Sequence, residues 1–186
     1  MPLSVAPPTA VAPGALRLAA GLLAVLLLIG WTEPAPAHPQ RESLSPPLRD
    51  PQLHAAVAEV SQEAQRQQLE EDTSLRLIPR PDHRQENLGF CCLQANILDY
   101  YLHNILQSGG GRSPSMLRLH ADLQRVSADL QDSGCNVDHY HHHKNAVEFR
   151  RKLEKIGGQR GINKALGEVD ILFTYLHEYC VKPDPQ

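Results

Sequence analysis

The four cysteines constrain the fold of this 186-residue chain more than any other feature of its sequence. Cys91 and Cys92 are neighbours in a strongly apolar segment, and Cys135 and Cys180 lie far downstream. A disulfide between adjacent residues is strained and rare, so in an oxidising compartment the two neighbours pair with the two distant cysteines, in either of two arrangements. Four zinc ligands or a catalytic thiol are the alternatives, but metal sites usually show C-x-x-C spacing, which this chain lacks.

The first 37 residues have the organisation of a secretory signal peptide. Arg17 supplies a positive charge, residues 18–31 form an apolar run, and Ala35-Pro36-Ala37 is a small-residue cleavage site. The run is shorter than the roughly 20 residues of a comfortable membrane span, although the long proline-rich stretch before Arg17 leaves a signal anchor as the alternative. Cleavage after Ala37 predicts a secreted, extracellular chain of one domain, with no second segment apolar enough for membrane insertion.

The mature chain is predicted to be all-α, because strand patterns are absent and apolar residues recur at helical spacing. Residues 38–50 are proline-rich and are predicted to be flexible, and residues 51–186 form the helical domain. Asp50 followed by Pro51 is a strong helix start. A long connection over residues 72–88 favours a bundle with parallel neighbours over simple up-down topology. We predict helices over residues 51–71, 89–107, 114–132, 142–156 and 157–180.

The closing segment, GGQRGINKALGEVDILFTYLHEYC over residues 157–180, is predicted to be one amphipathic helix. Lys164, Glu168 and Asp170 fall on or beside its polar face, and we interpret the two carboxylates as exposed charges because residues two apart on a helix do not converge. Its core face carries apolar residues at spacings of three and four: Ile162, Ala165, Leu166, Val169, Leu172, Phe173 and Leu176.

Residues 138–143, DHYHHH, combine imidazoles with a carboxylate, which are good ligands for zinc or copper. No H-E-x-x-H motif is present, and His139 and His143, four residues apart, would share a helix face only if the helix began early, whereas this region follows a loop. We therefore interpret the cluster as a solvated helix start and predict no metal site. A secreted metal- or ligand-binding helical protein that uses this cluster is the alternative function.

A cationic run on the predicted helix over residues 142–156 suggests a heparin or other anionic surface as a partner. Glu148 and Glu154 interrupt the run, and Glu148 pairs with Lys152 at the favourable i,i+4 spacing. We therefore interpret the segment as a solvated helix face. Its cations are Arg150, Arg151, Lys152 and Lys155.

No pattern of catalytic residues is found in the sequence. Nucleophile elbows, glycine-rich phosphate loops and zinc-protease helices are absent, so the chain is predicted not to be an enzyme and to need no cofactor. The net charge of −3 argues against a general nucleic-acid partner. A secreted, disulfide-linked helical bundle without catalytic residues is most often a signal or a binding partner.

Two motifs resemble the interleukin-10 family of cytokines. Residues 164–172, KALGEVDIL, are similar to the K-A-[IL]-G-E-[LIV]-D-[LIV]-L signature of the last helix of that family, and Cys91-Cys92-Leu93 resembles the cysteine start of its third helix. The resemblance covers roughly residues 74–180. It implies a six-helix cytokine bundle with a long crossover connection and two disulfides, which binds as a monomer to two class II cytokine receptor chains and triggers Janus-kinase and STAT signalling.

The resemblance also implies which residues meet the receptors. The high-affinity chain would be bound by the loop after the first helix and by the last helix, whereas the shared interleukin-10 receptor beta-type chain would use the first helix and the start of the fourth. A soluble binding protein is a further partner that the resemblance allows. Carried over by motif, the high-affinity surface is Thr73, Ser74, Leu75, Arg76, Lys164, Glu168, Asp170 and Thr174.

The cysteines depart from the pattern of some mammalian members, which carry a cysteine ahead of the first helix. This chain has the CC pair instead, as interleukin-19 and interleukin-20 do, which implies Cys91–Cys180 and Cys92–Cys135, with the swapped pairing as the alternative. No Asn-x-Ser/Thr sequon is present either. These departures indicate a divergent, non-mammalian-like member, with interleukin-26-like and interleukin-20-like cytokines as alternatives within the family.

Overall fold

A computed structural model describes residues 42–82, 86–108 and 113–182 of the chain. These residues form an all-α domain, as predicted, and the predicted signal peptide over residues 1–37 lies outside them. None of their helices has both the length and the apolar character that crossing a membrane requires. The α-helices are α1 (Pro51–Arg66), α2 (Glu70–Thr73), α3 (Asn87–Tyr100), α4 (Pro114–Asp132), α5 (Lys144–Ile156), α6 (Gly158–Gly167) and α7 (Val169–Tyr179).

Local sequence signals start two of the long helices where they were predicted. The Asp50 carboxylate accepts a hydrogen bond from the backbone N–H of Gln52, and the Ser113 hydroxyl accepts one from that of Met116. Each cap is followed by a proline at the first helical position, where no N–H is needed. Both helices then bury one apolar stripe and leave the opposite side to water.

The third helix is the centre of the bundle. Every residue from Phe90 to Leu98 is buried, and α3 is continued by a π-helical turn over Tyr101–Ile105. The Tyr101 hydroxyl is fully buried and donates to the Ala165 carbonyl at 2.9 Å, which joins this turn to α6. Two disulfides, Cys91–Cys180 and Cys92–Cys135, join α3 to the end of α7 and to the loop after α4. This is the pairing that the family resemblance implies.

The structure differs from the sequence prediction over residues 42–50, which pack against the domain. Leu48, in a 3₁₀ turn over Pro46–Arg49, is fully buried, and the Ser45 hydroxyl donates to Asp129 on α4 at 2.6 Å. Farther upstream, the Leu44 N–H donates to the Cys180 carbonyl at 2.9 Å. The prolines that suggested flexibility serve instead to start this turn.

The closing segment also differs from its prediction, because it is two helices that meet at Glu168. In a continuous helix the Gly167 carbonyl would accept from Ile171, but it accepts instead from the Gln65 side chain at 2.7 Å. The Ile171 N–H bonds to the Glu168 carbonyl at 3.1 Å, which tightens the turn. A Cβ at residue 167 would lie 1.9 Å from Nε2 of Gln68, so the absence of a side chain here lets the end of Gln68 approach the junction closely.

Candidate functional site

The junction between α6 and α7 lies beneath the extended loop that follows α2. The Glu168 carboxylate accepts hydrogen bonds from the backbone N–H groups of Leu77, at 2.9 and 3.1 Å, and of Ile78, at 2.9 Å. The Lys164 ammonium lies 3.0 Å from the same carboxylate, one helical turn earlier. One carboxylate therefore neutralises a cation and fixes the direction of the loop backbone.

Burial shows that the sequence interpretation of Glu168 as an exposed charge is wrong. Glu168 is 5% exposed and Lys164 is 4% exposed, so neither side chain is available on the surface. A charged pair is stable at such burial only when its remaining hydrogen-bonding capacity is satisfied, and the two loop N–H groups satisfy that of the carboxylate. These two members of the predicted receptor surface are thus placed below it.

Arg76 is the second link between the loop and the last helix. Its guanidinium donates to the Tyr175 hydroxyl at 2.6 Å and to the Ile78 carbonyl at 3.0 Å. The Lys152 ammonium of α5 donates to the Arg76 carbonyl at 3.0 Å. Arg76 is half-buried as a result, with its side chain spread over the edge of α7.

The short helix α2 is fixed to α6 by a bidentate ion pair. The Arg160 guanidinium donates to both carboxylate oxygens of Asp72, at 3.0 and 2.8 Å. These hydrogen bonds hold the pKa of Asp72 below its usual value. Asp72 is buried, whereas the next two residues, Thr73 and Ser74, are exposed. The ion pair therefore holds the start of the loop in place and leaves its polar tip in water.

The accessible part of the predicted surface is formed by two neighbouring strips. From the loop, Thr73 and Ser74 are exposed, and Leu75 and Arg76 are half-buried. From α7, Thr174 is exposed. Six of the eight residues carried over from the family are thus exposed or half-buried. We call them the loop–helix face: Thr73, Ser74, Leu75, Arg76, Asp170 and Thr174.

Asp170 lies at the edge of this face in an environment of its own. It is half-buried, and its carboxylate accepts from the backbone N–H of Ile171 at 2.8 Å in the first turn of α7. Burial raises the pKa of Asp170, against the opposing effect of this hydrogen bond. The Thr174 hydroxyl donates to the Asp170 carbonyl at 2.8 Å, which orders the centre of the face.

The sequence prediction did not include Tyr175, Ile171 and Glu178. Tyr175 anchors Arg76, while half-buried Ile171 and exposed Glu178 lie on the same side of α7 as Thr174. The helical period places residues 171, 174 and 178 on one side, so the signal was present. It was obscured because a single helix from residue 157 gives no reason to treat the last eleven residues as a separate surface.

The histidine cluster does not gather into a metal site. Asp138–Tyr140 is a 3₁₀ turn, and His143 caps α5 by accepting from the Asn145 N–H at 3.3 Å. Across the three described ranges, no group of three or more His, Cys, Asp or Glu side chains could hold a metal ion. The cluster forms the turn that precedes α5, which begins at Lys144.

Comparison with known proteins extends the resemblance in the motifs to most of the domain. A sequence model of the family described as "Interleukin 22 IL-10-related T-cell-derived-inducible factor" matches residues 50–180. Human interleukin-22 is 26% identical over 162 residues, which cover 86% of this chain and 88% of the human one. Mouse interleukin-22b is 29% identical over 92 residues, which cover 49% of this chain and 51% of the mouse one.

A solved structure supports the same assignment. The crystal structure of zebrafish interleukin-22 superposes with a TM-score of 0.64 at 27% identity, covering 75% of this chain and 99% of that one. Within the interleukin-10 family, the sequence itself points to interleukin-22, because Phe173 follows the signature, Cys180 closes the last helix, and residues 75–78 resemble the loop after its first helix. The predicted family is therefore confirmed, and the chain is a non-enzymatic cytokine that belongs to the interleukin-22 family.

Proposed function

We propose that the chain is secreted, brings together two class II cytokine receptor chains, and triggers Janus-kinase and STAT signalling in epithelial defence and inflammation. Membership of the interleukin-22 family supports this proposal. The observation that carries it is the Glu168 network, which bonds the loop backbone to the last helices. Two segments far apart in sequence thereby present one surface, as recognition by a single receptor chain requires.

The loop–helix face is the proposed binding surface for an interleukin-22 receptor alpha-type chain. Thr73, Ser74 and Thr174 offer exposed hydroxyl groups, and Arg76 offers a guanidinium held in place by Tyr175. Preformed positions lower the cost of ordering side chains on binding. Lys164 and Glu168 act in this proposal as positioning residues, because their burial keeps them from direct contact.

A groove between α1, α6 and the start of α4 is the proposed surface for the interleukin-10 receptor beta-type chain. It has a volume of about 450 Å³, with Val60, Met116 and Leu166 among its lining residues. Leu117, the next residue on α4, is 59% exposed, a large apolar side chain on the surface. The apolar residues of the groove and the neighbouring Leu117 are the features that support this proposal.

The alternatives gain no support from the geometry. Among the described residues, the histidine rings of residues 138–143 do not converge on a common point. This arrangement disfavours the alternative of a secreted metal-binding protein. Interleukin-26-like and interleukin-20-like receptor choices are disfavoured by the match to the interleukin-22 family over residues 50–180.

Signalling in cells with defined receptors tests the proposal. We expect STAT phosphorylation in cells that express both the alpha-type and the beta-type chain, and none in cells that express either chain alone. A response in cells that express neither chain contradicts the proposal. Silence in cells with both chains, together with a response through an interleukin-20-type pair, would show that the receptor assignment is wrong.

A further inference from the structure

A cleft separates the loop after α2 from helix α5. It has a volume of about 340 Å³ and is lined on the loop side by Arg76 and Arg80, and on the helix side by Asn145, Glu148 and Lys152. Three of these five side chains are cations. A cleft in which one sign of charge predominates attracts ions of the other sign.

The outer side of α5 extends the positive charge beyond the cleft. Lys144, Arg151 and Lys155 are exposed and recur at intervals of seven and four residues, which places them in one row along the helix, interrupted by Glu148. Eleven residues of helix span about 16 Å. We call the row and the three cleft cations together the basic cleft: Arg76, Arg80, Lys144, Arg151, Lys152 and Lys155.

The charges of the basic cleft are largely free to meet a ligand. Among the described residues, Arg80, Lys144, Arg151 and Lys155 take part in no ion pair within 4.0 Å. Glu148 is the one carboxylate among the described residues that lines the cleft, and it is already paired with Lys152 at 2.9 Å. That hydrogen bond, with the charge of Lys152, holds the pKa of Glu148 below its usual value, so it stays ionised and paired.

We propose that the basic cleft binds a sulfated glycosaminoglycan of the heparan sulfate class. The basic cleft has six cations, whereas the whole chain has a net charge of −3, so positive charge is concentrated on one face of the protein. The row along α5 is extended, which suits a linear polyanion better than a compact anion. The sequence alone favoured a solvated helix face, and the structure changes that interpretation because it places Arg76 and Arg80 across the cleft from α5.

This inference does not rest on receptor binding. Only Arg76 belongs to both surfaces, and the exposed cations of α5 lie outside the loop–helix face. A glycan bound here would retain the secreted protein at cell surfaces and matrix. Glycan binding and receptor binding can therefore be measured, and can fail, separately.

Titration of the full mature chain with heparin tests the proposal. We expect binding at about 0.15 M ionic strength. The double variant R151A/K155A should weaken heparin affinity about tenfold and reduce its salt dependence, because fewer counterions are released. R80A should weaken it as well, since the loop side of the cleft takes part. Non-sulfated hyaluronan should bind neither the wild type nor the variants.

The matched control is R66A/R125A, which also removes two positive charges, but from elsewhere on the surface. The side chains of Arg66 and Arg125 are 68% and 72% exposed. We expect its heparin affinity to stay within roughly twofold of the wild type. Equal weakening by the two double variants would overturn the proposal in favour of general attraction to positive charge. Absence of heparin binding by the wild type would overturn it too. Circular dichroism of each variant confirms that the fold is retained.

Discussion

Replacing Glu168 with glutamine should lower the free energy of unfolding by about 3 to 5 kcal/mol, because it removes one partner of a buried ion pair. Glutamine has nearly the same shape, but it leaves the Lys164 ammonium without its counter-charge at 4% exposure. It also turns an amide NH₂ towards the N–H groups of Leu77 or Ile78, where the carboxylate had accepted from both. Chemical denaturation followed by circular dichroism measures the loss.

The same substitution at Glu178 is the control, because that side chain is exposed on the same helix and should change the stability by less than about 0.5 kcal/mol. The double variant K164M/E168Q should recover part of the loss, since much of the cost comes from the uncompensated ammonium. Equal stabilities of the Glu168 and Glu178 variants would show that the network does not hold the loop.

Removing the Cys91–Cys180 disulfide should be comparably severe. The bond closes a loop over a sequence separation of 89 residues, and a cross-link of that span stabilises a protein by about 4 to 5 kcal/mol through the unfolded state. Alanine replaces both cysteines in the variant because both side chains are fully buried. Thermal or urea unfolding measures the effect.

The second disulfide provides the matched comparison. Cys92–Cys135 spans 43 residues, so its removal should cost slightly less, about 4 kcal/mol. The two losses should also differ in location. Loss of Cys91–Cys180 should increase hydrogen exchange at Leu44, whose N–H donates to the Cys180 carbonyl. A loss below about 1 kcal/mol for the longer loop would contradict this account of the bundle.

Much of the fold was predictable because its signals are local. The caps at Asp50 and Ser113 and the apolar period of α1 and α4 depend on residues a few positions apart. The segment over residues 42–50 was not predictable in this way, because Leu48 is too isolated to form a period. The packing of this segment depends on distant partners such as Asp129, which bonds to Ser45 from 84 residues away.

The candidate site was only partly predictable, for a similar reason. Lys164 and Glu168 have the i,i+4 spacing of an ordinary surface pair, and nothing within the helix distinguishes a buried pair from an exposed one. The distinguishing partners are the N–H groups of Leu77 and Ile78, about 90 residues away. The break at Gly167 also depends on a distant side chain, that of Gln65.

These contacts give the KALGEVDIL signature a structural meaning. Gly167 allows the close approach of Gln68, and Glu168 with Lys164 fixes the loop. Only Asp170 and Ile171 of this motif are partly accessible after the break. The signature therefore builds the loop–helix face, and the proposed receptor contacts are expected instead from the loop tip and from Thr174.

The affinity of the mature chain for the ectodomain of an interleukin-22 receptor alpha-type chain tests the central claim most directly. We expect saturable binding with a Kd below about 1 μM, as for a specific interface of standard size. T174R should weaken it at least about tenfold by placing a long cation at the centre of the face, whereas Q124R, an exposed change on α4, should not. Equal affinities of wild type, T174R and Q124R, or no binding by the wild type, would contradict the account.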